Sequence, residues 1–368
     1  MQFTATETFA NALRTLASVV PSKSPKPICQ SVRIEAVASA GMAVPAKVIL
    51  HGTDIDRHLT VTVETTVTTT GAVCVPFHKL AEIITGHKGT ALEFTAADGK
   101  VKLTGGGSSM TLHTSDVAEF PMFPVGEDGK ATSLPAIDLL TALRQVEDAT
   151  AKENSRYAIN GVLIACDKMA NHTQLVATDG RRMHVSQKLP KLGETSTIIP
   201  ASTVATLGKL LASGGEVSVM RGEDGRIAFA GTDWNLSSAI VEGNFPPYRD
   251  VIPKETDTWV SVDSLALASA VRRASVTANE ESHAVKFDIG GDAITLSATT
   301  PEVGSSDILV PAAIKGEYVG IGFNGSFVIQ ALLTCPGTAT LGLTKSNKPM
   351  TIRGANGNIA VVMPVNLQ

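Results

Sequence analysis

The sequence predicts an α+β protein in which one domain is written three times, each copy holding two helices and a set of hairpin-linked strands. Two landmarks and a shared order of elements carry that expectation. A small or polar residue, an alanine, an aliphatic residue and an arginine recur as Asn11-Ala12-Leu13-Arg14, Thr141-Ala142-Leu143-Arg144 and Ser269-Ala270-Val271-Arg272, with the arginines 130 and 128 residues apart. An apolar residue followed by Pro or Asn opens a helical run at Val75-Pro76, Ile199-Pro200 and Phe323-Asn324, both spacings being 124. Solenoid repeats run to roughly 20–50 residues. A period this long has the size of a domain.

The elements follow in the same order in each third. In the first, a short strand at Gln2-Phe3-Thr4 precedes a helix over 6–20, whose Phe9, Leu13, Leu16 and Val20 form one stripe. Pro21 and the Ser-Lys-Ser-Pro-Lys-Pro stretch end it. Strand-like runs at 31–37, 47–51 and 57–69 are rich in β-branched residues. A helix over 76–85 starts at Pro and stops at Gly86. Runs at 91–95 and 100–104 flank Ala97-Asp98-Gly99, a hairpin signal. The middle third repeats this with a helix over 136–150, strands at 161–166, 174–177 and 183–189, a helix over 201–212 closed by Gly214-Gly215, and a turn at 223–225. The last third has helices over 263–277 and 325–334 with strands at 285–289 and 293–298. Pro-aromatic segments, Phe120-Pro121-Met122-Phe123-Pro124 and Phe245-Pro246-Pro247-Tyr248, read as stiff boundaries. The expected domains are 1–126, 127–253 and 254–368.

Composition narrows the function. The chain has 368 residues, 43% apolar, 18% charged and only 4% aromatic. So few aromatics argue against a binder that stacks single-stranded bases. A net charge of −4 gives no global pull towards nucleic acid, so any such contact must come from local basic faces. Cys29, Cys74, Cys166 and Cys335 are far apart, as expected of reduced thiols in a cytosol rather than a disulfide framework or a zinc site. The opening residues lack a signal-peptide pattern and no apolar run reaches membrane-span length. A soluble, cytoplasmic protein is expected.

Motifs for chemistry fail on their context. Gly320-Ile321-Gly322-Phe323-Asn324-Gly325 matches G-x-G-x-x-G, but no Asp or Glu follows Glu317 to bind a ribose. These glycines are read as turn residues. Gly105-Gly106-Gly107-Ser108 lacks the Gly-Lys-Ser/Thr ending of a phosphate loop and reads as a strand connection. The eight histidines, His78 and His184 among them, show no ligand spacing, and G-x-S-x-G is missing. Asp54, Asp56 and Asp179 sit near turns without a nucleophile or cofactor motif beside them. No cofactor, metal or catalytic residue is expected.

The repeating arginines point elsewhere. Arg14, Arg144 and Arg272 lie off the apolar stripe of each first helix, and Arg273, Lys79, Lys88, Lys152 and Lys209 lie on or just after the same helices. A solvated face is the ordinary reading of any one of them. Threefold recurrence suggests equivalent helices facing one repetitive polyanion, through phosphate contacts that position without reading sequence.

Four separated motifs carry a resemblance over the whole chain. They are Arg156-Tyr157-Ala158-Ile159-Asn160-Gly161, Ala177-Thr178-Asp179-Gly180-Arg181-Arg182-Met183, Gly243-Asn244-Phe245-Pro246-Pro247-Tyr248-Arg249 with Val251-Ile252-Pro253, and Val361-Val362-Met363-Pro364-Val365-Asn366-Leu367. Together they resemble the bacterial DNA polymerase III β subunit, the sliding clamp. The resemblance implies three-domain protomers of the DNA clamp fold, paired head to tail as a homodimeric six-domain ring around duplex DNA. Helices would line the hole and antiparallel sheets form the outer layer. Encirclement retains DNA topologically, so modest, dispersed positive charge suffices.

The resemblance also implies sites. A hydrophobic peptide pocket, used by replicative and repair polymerases and by the clamp-loader ATPase, would comprise Ile159, Thr178, Gly180, Arg181, Arg182, Met183, Pro246 and Val251 with Phe327, Pro349, Val361, Met363, Pro364 and Val365. DNA contacts would come from Lys23, Lys26, Glu153 and Tyr157, joined by Arg14, Lys79, Arg144, Lys152, Lys209, Arg272 and Arg273. Protomers would meet through Val276 and Thr277 on one side and Met110 on the other. The chain departs from the family pattern at Arg181 (usually His), Asp250 (commonly Arg), Ala158 (usually a bulky aromatic), Thr277 (usually aliphatic) and the Arg-free tail around Asn366. The alternative is a three-domain enzyme acting on a phosphorylated substrate, with a cleft at Asp54 and Asp179.

Overall fold

A computed structural model gives the fold and describes residues 1–39, 46–87, 89–123, 131–152, 158–166, 171–222, 225–345 and 347–367. Its helices are α1 (Glu7–Leu16), α2 (Phe77–Gly86), α3 (Ala136–Arg144), α4 (Ala201–Leu210), a single turn α5 (Tyr248–Val251), α6 (Ser264–Ala274) and α7 (Gly325–Leu333). Two compact units result, residues 1–137 with 205–240 and residues 138–204 with 241–368.

The first unit holds two antiparallel sheets. A five-stranded sheet runs in the order Val67–Thr69, Gln2–Ala5, Leu92–Ala97, Lys100–Gly105, Ser108–His113. An eight-stranded sheet runs Thr132–Pro135, Glu216–Arg221, Arg226–Ala230, Trp234–Ala239, Arg57–Glu64, Lys47–Thr53, Ser31–Val37, Gly71–Pro76. Alternation of buried and open residues along these strands turns one face towards the core. Phe9 and Leu13 of α1 are buried, and Phe3, Phe9 and Phe94 pack with Phe3 stacked on Phe94 at 4.5 Å. Burying each such ring is worth about 1.5–3 kcal/mol.

The second unit repeats the plan. Its nine-stranded sheet runs Thr197–Pro200, Gly161–Cys166, Thr173–Thr178, Arg182–Val185, Ile359–Val362, Met350–Gly354, Thr338–Leu343, Thr258–Asp263, Ala313–Lys315. Its four-stranded sheet runs Gly304–Pro311, Ala293–Thr300, Ala284–Gly290, Val319–Asn324. Asp263 caps α6 through the Ala266 amide at 2.7 Å, and Asn324 caps α7 through Ser326 and Phe327. The sheets thus cross the sequence repeats: the eight-stranded one draws on the first and middle thirds, the nine-stranded one on the middle and last.

Several expectations change. α1 ends at Leu16, and Val20 is buried from the turn beyond it. The run at 57–69 breaks at Thr65-Thr66, where the Thr65 hydroxyl donates to the Thr4 carbonyl at 2.7 Å and the chain moves to the other sheet. The first-third strands Gly71–Pro76 and Ser108–His113 lacked a clear sequence signal. Gly106 and Gly107, with φ of 56° and 76°, turn the hairpin between Lys100–Gly105 and Ser108–His113. Gly320 and Gly322 are not turn residues: both lie inside the strand Val319–Asn324, and Gly325 opens α7. Their lack of a side chain makes room for neighbours, Tyr318 over Gly320 and Leu367 over Gly322.

Candidate functional site

In the second unit, the strands Thr173–Thr178 and Arg182–Val185 are joined by a tight, internally bonded turn. The Thr178 hydroxyl donates to the Arg182 carbonyl at 2.7 Å and accepts the Gly180 amide at 3.1 Å. Asp179 Oδ1 accepts the amides of Arg181 and Arg182 at 2.9 and 3.0 Å, and Oδ2 accepts Arg182 Nε at 3.0 Å. Gly180 supplies the positive φ of 85° that the turn needs. Arg182 is 8% exposed. Its remaining donors reach Gln330 Oε1 and the Asp148 carbonyl, and its guanidinium lies 4.3 Å from the Phe327 ring centroid.

A buried apolar cluster packs beside this turn. Met183 faces Val361 across the strands, and both pack in one cluster with Leu163, Ala165, Val176, Val185 and Ile198. Ala158, next to Ile159, and Phe245, Tyr248 and Ile252, which bracket Pro246 and Val251, pack on the same cluster. Beyond Val362 the chain crosses the turn: the Met363 amide donates to the Arg181 carbonyl at 3.0 Å and Pro364 bridges to Phe323. Pro349 precedes Met350, whose strand pairs with Val362. Met363 and Val251 remain 40% and 45% exposed, which leaves apolar area open beside the cluster.

A cavity of about 540 Å³ opens on this unit, lined by Leu163, Ala165, Cys166, Ser196 and the 247–250 segment. None of the residues expected for the pocket lines it. Leu163 and Ala165 tie it to the Met183–Val361 cluster. Of these lining residues Pro247, Tyr248 and Arg249 belong to a motif singled out in the sequence, whereas Leu163, Ala165, Cys166 and Ser196 carried none. Leu163 and Ala165 share one face of their strand because they are two positions apart.

The expected DNA-contacting residues are all on the surface where they are described. In the first unit, Arg14 pairs with Glu7 at 2.9 Å and bonds Asn11, Lys79 pairs with Glu82 at 3.3 Å, and Lys23, Lys26 and Lys209 are exposed. In the second, Arg144, Lys152, Arg272 and Arg273 are exposed. Arg14, Arg144, Lys209, Arg272 and Arg273 occupy last turns of helices, where the helix dipole favours cations. Lys88, Glu153, Arg156 and Tyr157 lie outside the described residues. Met110 is half-buried on the outermost strand of the five-stranded sheet. Val276 is 72% exposed, and the Thr277 hydroxyl is engaged within its own unit by Ser306 Oγ at 2.8 Å and the Ala298 carbonyl at 3.1 Å.

Two of the three carboxylates considered for catalysis, Asp54 and Asp179, hold turns together, and Asp56 is exposed. Asp54 holds the amide and guanidinium of Arg57 in the first unit as Asp179 holds those of Arg182 in the second. Among the described residues, no group of three or more His, Cys, Asp or Glu is placed to hold a metal ion. No described helix is long and apolar enough to cross a membrane, which says nothing of strands. Buried Cys74 is pushed up to about 11 by desolvation, which keeps its thiol protonated and unreactive.

Comparison with known proteins covers nearly the whole length. Residues 1–124, 133–247 and 249–366 match the N-terminal, central and C-terminal domains of the DNA polymerase III beta subunit. The beta sliding clamp of Chlamydia pneumoniae is 27% identical over 97% of this chain and 96% of its own, and that of Escherichia coli K12 is 28% identical over 81% and 82%. The sliding clamp from Pseudomonas aeruginosa bound to griselimycin matches at a TM-score of 0.91 and 25% identity, with both chains fully covered. The Bacillus subtilis clamp, at 22% identity and a TM-score of 0.91, shares the fold.

Proposed function

The chain belongs to the DNA polymerase III beta subunit family, the sliding clamps, and from that premise we propose that it is a non-catalytic processivity factor. In this reading domains 1–126, 127–253 and 254–368 form a protomer, and two protomers close head to tail around duplex DNA in the cytoplasm. The ring tethers replicative and repair polymerases and is opened by a clamp-loader ATPase.

The observation that carries the ring is a pair of unfinished sheets. Where consecutive repeats meet, the sheets have eight and nine strands; the remaining two have five and four, ending in the strands Ser108–His113 and Gly304–Pro311. Such edges present unpaired amides and carbonyls that call for a partner. Joining the first edge of one protomer to the second edge of another gives a sheet of nine strands, matching the largest in the chain. Leu309 and Val276, 68% and 72% exposed, supply apolar area beside that edge.

The Thr178–Arg182 turn, the Met183–Val361 cluster and the 363–365 segment are proposed to dock short hydrophobic peptides of partner proteins, with griselimycin taking the same surface. Met363, Pro364 and Val251 serve as contact points and the clasped Arg182 as a rigid base. Arg181 and Asp250 are proposed to tune which charges a docked peptide carries. The dispersed surface arginines and lysines are proposed to face phosphates weakly enough to permit sliding. Light scattering tests assembly: twice the chain mass of 38.3 kDa is expected, and a stable monomer at micromolar concentration contradicts ring closure.

A further inference from the structure

Gly322 lies buried in the strand Val319–Asn324, and its φ is not positive, so its backbone conformation does not demand glycine. What demands it is space. A Cβ built at Gly322 would stand 2.6 and 2.7 Å from Cδ2 and Cγ of Leu367 and 2.9 Å from the Val365 carbonyl oxygen. The 363–367 segment therefore rests directly on this strand. The Val365 amide donates to the Gly322 carbonyl at 2.9 Å, Pro364 bridges to Phe323, and the Leu367 side chain covers the bare Cα. At its other end the Met363 amide donates to the Arg181 carbonyl at 3.0 Å. Those two main-chain bonds and the Leu367 contact fix where Met363 and Pro364 stand.

We propose that Gly322 and Leu367 are positioning residues of the docking site, a glycine seat and an apolar latch that hold the 363–365 wall in its binding geometry. The proposal rests on the peptide-docking reading above. Neither residue needs to touch the docked molecule. A wall held in place before binding loses less freedom on binding, and that difference appears mainly in the dissociation rate. Leu367 is 48% exposed, so its truncation leaves the core intact. Gly322→Ala acts from the other side, because the Val365 carbonyl is backbone and cannot rotate away from an added methyl.

The test uses the full-length protein with griselimycin as the probe, measuring affinity and dissociation rate by surface plasmon resonance. The ε-methyl NMR signal of Met363 reports the position of the wall without any ligand. Leu367→Ala and Gly322→Ala are each expected to weaken binding by about tenfold, a change of about 1.4 kcal/mol. Dissociation should quicken and the Met363 signal shift, while the Met183 and Met350 signals stay in place. Leu367→Met should restore binding to near the wild-type value, and thermal unfolding of Leu367→Ala should match wild type. If Met363→Ala weakens binding but Leu367→Ala and Gly322→Ala do not, the seat is overturned and the docking site stands. If Met363→Ala itself changes nothing, the docking reading fails and the seat falls with it.

Discussion

Arg182 and Asp179 are joined twice, through the side-chain contact of Nε with Oδ2 at 3.0 Å and through the Arg182 amide with Oδ1 at 3.0 Å. One carboxylate thereby sets both the path of the turn and the direction of the guanidinium. Arg57 and Asp54 repeat the relationship in the first unit, with the Thr53 hydroxyl donating to the Arg57 carbonyl at 2.7 Å, and Arg57 going on to Thr206 Oγ1 at 2.7 Å. The turns lie 125 residues apart, close to the 124-residue spacing of the helix openings.

Removing the carboxylate strands a buried cation. Asp179→Ala is expected to destabilise the protein by on the order of 3–5 kcal/mol, since Arg182 is 8% exposed and loses its counter-charge. Urea unfolding measures it; a loss below about 1 kcal/mol, the range of a surface pair, refutes the clasp.

The two turns differ at two positions, Ile55 against Gly180 and Asp56 against Arg181. Gly180 has φ of 85° and Ile55, its counterpart, has φ of 84°. An added Cβ at Gly180 meets nothing within 4 Å, so Gly180→Ala is expected to cost about 1 kcal/mol through backbone conformation alone. Ile55→Gly removes that strain and is expected to cost less than an ordinary aliphatic-to-glycine change at a half-buried site. Paired melting curves decide it, and a neutral Gly180→Ala contradicts it.

Acid should loosen the fold before carboxylates titrate fully. Burial holds His51, His58 and His184 at about 4, with Arg33 adding to the effect at His51, His51, Arg226 and Arg33 at His58, and Arg182 at His184. These rings are neutral when folded and take up protons near 6.5 when unfolded. Their contribution is complete above about pH 6.5 and falls as pH drops towards 4, by about 1.4 kcal/mol per pH unit per ring. Denaturant midpoints across that range test the sign, and replacing His184 with Gln should flatten the slope.

The edge strand offers a direct handle on assembly. Leu309→Glu is expected to shift the protein from dimer to monomer without lowering the melting temperature of the unit, because the side chain is 68% exposed in the single chain. A persistent dimer by light scattering moves the interface elsewhere.

Replacing Met363 and Pro364 together with Ala should weaken griselimycin binding by at least about tenfold, as expected when exposed apolar contact points are lost from a small site, with the dimer mass unchanged. Unchanged affinity removes the pocket assignment.

Much of this was legible in the chain. The helix stripes of Phe9, Leu13 and Leu16 and the long period follow from local rules of burial and repetition. The clasped turn was visible as Thr-Asp-Gly-Arg-Arg, although its bonding was not. What escaped depends on neighbours distant in sequence. Ser108–His113 has no continuous apolar run because it is a sheet edge, and Gly322 resembled a turn until Leu367 was placed over it. The contacts of Arg226 were also hidden: it donates to the Asp56 carbonyl at 2.8 Å and to Ser237 Oγ at 2.9 Å, and its guanidinium lies 4.6 Å from the Phe123 ring centroid.

The most direct test of the central claim is retention on circular against linearised duplex DNA after loading by a clamp loader. A topological ring stays on circles at raised salt and slides off linear ends. Equal retention on both forms, lost in parallel as salt rises, would mean ordinary phosphate binding and contradict the clamp.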